Sequence, residues 1–114
     1  MYSIRFYLTP RGDCPVDGFL EGCDKSIRAK YLEIISLLRE RGPVLKRPYA
    51  DKVEGKIYEL RIKQARILYF FGSNRQIVLA HGFLKKRDEL DKTDIEIAER
   101  RRHDWLLRVS FQEE

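Results

Sequence analysis

Cysteine is scarce: Cys14 and Cys23 are the only two. That is too few for the disulfide framework of a small secreted domain, and no Cys or His cluster has metal-ligand spacing. Both thiols are read as reduced and structural, and neither a metal nor a cofactor is expected. No apolar run approaches the roughly 18 residues of a membrane span, and no charged start leads into an apolar stretch and a small-residue cleavage site. The expectation is therefore a cytoplasmic protein without membrane contact. Repeats, low-complexity tracts and linker-like segments are also missing, so the 114 residues are read as one domain, 1–114, with a single core.

What the chain does have is apolar and basic character. An apolar fraction of 43% and an aromatic fraction of 11% argue for a packed globule and against a disordered tail. Lys and Arg outnumber Asp and Glu by 23 to 18, giving a net charge of +5 and a pI near 9.3. This balance favours a polyanionic partner, with nucleic acid first and an acidic protein second.

Apolar alternation and interior arginines occur together between Ile57 and Arg87. Three runs, Ile57 to Ile62, Ala65 to Gly72 and Gln76 to Leu84, are rich in Ile, Val, Leu, Tyr and Phe. They are separated by Lys63 and Gln64 and by Gly72, Ser73 and Asn74, which predicts an antiparallel meander. Strand alternation sets Tyr58, Leu60 and Ile62 on one face and Glu59 and Arg61 on the other. It separates Arg66, Leu68 and Phe70 from Ile67, Tyr69 and Phe71 in the same way. If register joins Arg61 and Arg66 to the terminal cluster Lys85, Lys86 and Arg87, a rigid cationic patch results. The alternative is that the arginines are solvated or paired with neighbours such as Glu59. Arg66 is expected on the open face of the sheet, because an unpaired arginine inside the core is costly.

Taken in order, Tyr2 to Leu8 alternates as a half-buried strand that should join the sheet, ended by Pro10 and Gly12. Asp13 is expected to cap a short helix with Pro15 in its first turn, followed by Val16, Phe19, Leu20 and Cys23 at helical spacing. Asp24 is expected to cap a longer helix with the stripe Ile27, Tyr31, Ile34, Ile35 and Leu38, stopped by Gly42 and Pro43. Pro43 to Gly55, with Lys46, Arg47 and Lys52, reads as an extended basic loop that could border a binding site. In the last helix, Thr93 and Glu96 have capping-box spacing, and Ala98, Trp105, Leu106 and Val109 form the apolar stripe. Arg100, Arg101 and Arg102 are expected to face outward. The whole chain reads β-α-α-β-β-β-α: an α+β fold with a mostly antiparallel sheet, a two-helix hairpin on one face and a C-terminal helix.

The ordered set CPVDGFLEG, a helix ending in RERG, then IYELRI, ARILYFF, IVLAHGF and LKKR resembles the phage-related HigB-like branch of the RelE/ParE toxin superfamily. The resemblance covers about Ile4 to Arg102. It implies a RelE-like domain acting as the toxin of a type II toxin-antitoxin module. RelE-like members cut messenger RNA on the ribosome, whereas ParE-like members bind DNA gyrase and cut nothing. It also implies two partners: mRNA on the ribosome, and an antitoxin, a small helix-turn-helix DNA-binding protein encoded alongside. Carried over residue by residue, it assigns Arg61, Arg66, Lys85 and Lys86 as the cationic groups of the catalytic site. Lys52 is a weaker transfer. Several RelE-like toxins use a tyrosine or histidine at or just after the end of the last strand, where this chain has Leu84 to Asp88, so the acid and base stay open.

Metal-independent RNA cleavage by a ribose 2'-hydroxyl needs that oxygen aligned, a base, an acid, and cations where charge builds on phosphorus. Arginine suits the last task, because its planar fork binds two phosphate oxygens and stays charged. A lysine crowded by cations releases its proton more readily. Arg61 and Arg66 are therefore assigned to phosphate and transition-state binding, and Lys85 or Lys86 to proton transfer. The RNA-binding candidates are Lys46, Arg47, Lys52, Tyr69, His81 and Arg87. His81 shares strand parity with Phe83 and Lys85, although a lone histidine in an apolar strand is commonly a hydrogen-bonded core residue. Tyr58 and Tyr69 can stack on a base, but their spacing equally suits the core. Glu59 is expected to position an arginine. A ParE-type inhibitor of a protein such as gyrase and a plain RNA-binding module remain the alternative functions.

Overall fold

The computed structural model describes residues 1–86 and 91–113. Five strands form one sheet in the order β1-β5-β4-β3-β2: β1 (Ser3–Phe6), β2 (Ala50–Glu54), β3 (Ile57–Ile62), β4 (Ala65–Phe71) and β5 (Gln76–Leu84). β1 runs parallel to β5, and the other neighbours are antiparallel. The meander lies where alternation predicts it, and the fold is the expected small α+β arrangement. One strand was not expected. β2 lies inside the segment read as a basic loop, and it folds back through Gly55, at φ +55°, onto β3. An edge strand of sequence ADKVE has little apolar face to bury, so its pattern carries no strand signal.

Two helices, α1 (Pro15–Glu21) and α2 (Lys25–Arg41), pack on one face. Ile27, Ile34, Ile35 and Leu38 of α2 bury against Leu60, Ile62, Ile67, Ile77 and Leu79 of the sheet. Asp24 caps α2 as expected, accepting from the Ile27 N–H at 2.9 Å, and Gly42 ends the helix at φ 52°. Asp13 does not cap α1. Its N–H and carbonyl are both engaged with Thr9 in the preceding turn, and Cys14 occupies the cap position without a side-chain bond.

The last helix, α3 (Lys92–Glu113), crosses the opposite face over Leu68, Phe70, Val78 and Ala80. Its first turn is held by Asp91, whose carboxylate accepts from the Thr93 N–H at 2.9 Å, so the expected Thr93–Glu96 box is not the cap. The arginine triplet divides. Arg100 is exposed and Arg102 pairs with Glu99, but Arg101 turns inward, donating to the Ala80 carbonyl at 2.8 Å. Leu106, assigned to the apolar stripe, is 40% exposed. Arg101 and Arg108 occupy inward helical positions beside Ala98, Trp105 and Val109 because their long stems pack while their heads reach backbone carbonyls. Among the described residues, no helix is long and apolar enough to cross a membrane.

Candidate nucleic-acid interface

The tight β3–β4 turn at Lys63 and Gln64, with Lys63 at φ 55°, fixes the register that places Arg61 opposite Arg66. Arg66 is in turn opposite Phe83 of β5. The row Arg61, Arg66, Phe83 therefore crosses three strands on the face that also carries α3. Directly opposed like charges destabilise a sheet unless a counter-charge or ligand intervenes. Glu59, two residues before Arg61 on the same face and only 4% exposed, supplies part of that charge. Its Oε2 accepts from Arg61 Nη1 at 2.8 Å, and its Oε1 stands 3.8 Å from Arg66 Nε. Neither Glu59 Oε1 nor Arg66 Nε has a hydrogen-bond partner among the described residues. Two guanidinium charges thus share one carboxylate in a poorly solvated setting.

Arg66 is not on an open face, as expected from its sequence position, but is only 7% exposed. Its Nη1 donates to the carbonyls of Lys63 at 2.6 Å and Ala65 at 2.8 Å, which is how the burial is tolerated. Burial first, and then the Arg61 charge, pull its pKa below the ordinary arginine value, while Glu59 opposes the shift. Arg61 is the more accessible cation, its side chain 26% exposed. The neighbouring loop borders the row, with the Tyr49 carbonyl accepting from the Arg61 N–H at 2.8 Å.

Lys85 continues the ladder beyond β5, its N–H donating to the Gln64 carbonyl at 2.7 Å, and strand parity puts it on the arginine face. Lys86 follows and is exposed, and by strand parity it points away from the arginine face. Arg87 lies outside the described residues. Lys46 is exposed on the loop, and Arg47 is committed to Asp51 at 2.8 Å. Lys52, opposite Tyr58, belongs to the other face and is not brought to the site.

Tyr69 is a correction. It is 1% exposed, lies in the core beneath the helix pair, and stacks on Tyr58 with ring centroids 5.6 Å apart. Its strand parity, opposite to that of Arg66, already carried this information. Burial pushes its hydroxyl pKa up, so it stays protonated.

His81 is on the arginine face, but both ring nitrogens are engaged. Nε2 is 2.7 Å from Asp94 Oδ1 of α3, and Nδ1 is 3.5 Å from Arg101 Nη1. The ring pins α3 to β5, and it stacks on Phe83 at 5.6 Å with 22° between planes. Sequence reading missed Asp94 and Phe83. Asp94 carries no local signal, because the contact spans 13 positions. The parity of Phe83 with His81 and Lys85 was a usable signal.

Residues 18–103 match the family described as phage-derived protein Gp49-like (DUF891). The match covers most of the chain, including the whole arginine row, and the protein belongs to that family. Membership is compatible, at a coarse level, with a toxin of a toxin-antitoxin module. No curated protein matches the chain.

Proposed function

We propose that this protein is a toxin of the HigB-like branch of the RelE/ParE superfamily that cleaves mRNA on the ribosome. The observation that carries this reading is the register of Arg61 and Arg66, two opposed guanidinium groups with one shared carboxylate. A phosphodiester supplies the missing negative charge at such a site. A surface for binding a protein target has no need of opposed cations set into a sheet.

In the proposed reaction, Arg61 binds the scissile phosphate from the accessible side, and Arg66, fixed by its two carbonyls, supports the charge from below. The substrate's 2'-oxygen bonds to phosphorus as its proton passes to a base. The bond from phosphorus to the 5'-oxygen breaks, and that oxygen takes up a proton. The products are a 2',3'-cyclic phosphate and a 5'-hydroxyl. Lys85 is assigned to proton transfer in preference to Lys86, because its parity brings it to the row. The antitoxin is proposed to be a small helix-turn-helix protein encoded alongside, acidic in the segment that covers this basic face.

Purified protein added to a reconstituted translation system and to a gyrase supercoiling assay tests the reading. Cleavage of translated mRNA with 5'-hydroxyl ends and unaffected gyrase is the expected result. Intact mRNA with inhibited gyrase would replace this reading with the ParE-type one.

A further inference from the structure

We infer that Phe83, backed by His81, is the platform on which one base of the substrate RNA stacks while Arg61 and Arg66 hold its neighbouring phosphate. This inference rests on the nuclease reading and adds to it where the base goes. Trp105, also half-buried on the α3 side, stands beside Gly72 past the far end of β4 from Arg66, and the other aromatic side chains that bound this part of the core are turned elsewhere. Tyr2, Tyr58, Tyr69 and Phe71 lie on the helix-pair side, while Phe70 and Tyr7 are buried on the α3 side. Phe83 is half-buried and stands in register with Arg66. Directly opposed side chains have Cβ atoms about 5 Å apart, which places ring and guanidinium within reach of a single nucleotide.

The platform is also held still. The His81 ring lies against Phe83 with centroids 5.6 Å apart, and His81 is itself held by Asp94 at 2.7 Å. From the other side of the strand, the ring of Phe19 presses on Gly82 so closely that a Cβ there would lie 2.4 Å from Phe19 Cδ2. A ring fixed before binding loses little freedom when a base stacks on it, and every base offers a π face, so such a platform tolerates many sequences. Packing at the rim of a core would be served equally by leucine, whereas stacking requires an aromatic ring. That difference makes the inference testable.

The experiment uses ribosomes programmed with synthetic mRNA in which each base flanking the cleaved phosphodiester is removed in turn. Removal at one position is expected to slow wild-type cleavage by about five- to a hundredfold, the range for loss of one base–aromatic stack. Phe83→Leu, with an unchanged melting temperature, is expected to cut intact mRNA at that slower rate and to be indifferent to the missing base. Phe83→Trp should restore the difference. If Phe83→Leu shows the wild-type penalty, or the wild type ignores base removal at every position, the platform is overturned and the nuclease reading stands. Wild-type protein that leaves intact mRNA uncut would overturn the nuclease reading, and the platform with it.

Discussion

Glu59 is hydrogen-bonded to Arg61 at 2.8 Å and stands 3.8 Å from Arg66, so one buried carboxylate serves two opposed arginines. Glu59→Gln keeps the shape and removes the charge, leaving both guanidinium groups uncompensated. Loss of one partner from a buried ion pair costs about 3 kcal/mol or more, and the partial exposure of Arg61 favours the low end. Denaturant melts should show that loss. A variant as stable as wild type would mean that solvent, not Glu59, balances the arginines.

Arg66→Ala is expected to lower stability as well as activity. Its Nη1 bonds to the part-buried Lys63 carbonyl and the buried Ala65 carbonyl would be lost, and stranding a buried acceptor costs about 1–3 kcal/mol. Arg100→Ala, at an exposed position on α3, is the matched control and should stay within about 0.5 kcal/mol of wild type. Equal melting temperatures for Arg66→Ala and wild type would contradict the buried geometry.

Acid should loosen the join between α3 and the segment that follows β1. The Tyr7 hydroxyl donates to Asp104 at 2.7 Å, and this bond, with Arg108 beside it, holds the Asp104 carboxyl below the usual carboxylate range. Because the folded value is the lower one, ionised Asp104 stabilises the fold above about pH 4. The contribution is lost as pH falls through the lowered folded value. The acid limb of a melting-temperature profile should therefore be shallower for Asp104→Asn. An identical limb would remove Asp104 from the account.

Tyr69→Phe should leave mRNA cleavage unchanged, since the ring lies beneath the helix pair on the face away from Arg66. A large loss of cleavage at unchanged stability would return Tyr69 to the site.

The sheet was legible because its central strands are short runs rich in Ile, Val, Leu, Tyr and Phe set off by polar and glycine breaks, and α2 because Asp24 and Gly42 mark its ends. β2 was not legible, since an edge strand can be built from ADKVE without an apolar face. The inward turn of Arg101 was hidden because an arginine serves equally as a solvated charge or as a long stem that reaches a carbonyl. Parity within β4 set Tyr69 on the face away from Arg66, but whether Arg61 and Arg66 share a face depends on the β3–β4 register, which the sequence left as a condition. The pairing of His81 with Asp94 depends on how α3 crosses the sheet, which no local pattern encodes.

If the Arg61–Arg66 row binds the phosphate at which RNA is cut, Arg61→Ala must lose cleavage while keeping the fold. Arg61 is partly exposed, and its described side-chain hydrogen bond is to Glu59, so its truncation disturbs the fold less than that of Arg66. The measurement is the single-turnover cleavage rate on programmed ribosomes, with product ends mapped and melting temperature recorded on the same samples. Phosphate binding by the row predicts 5'-hydroxyl ends from wild type and a rate about a hundredfold lower for folded Arg61→Ala, with only partial recovery in Arg61→Lys. Cleavage by Arg61→Ala at the wild-type rate would contradict it.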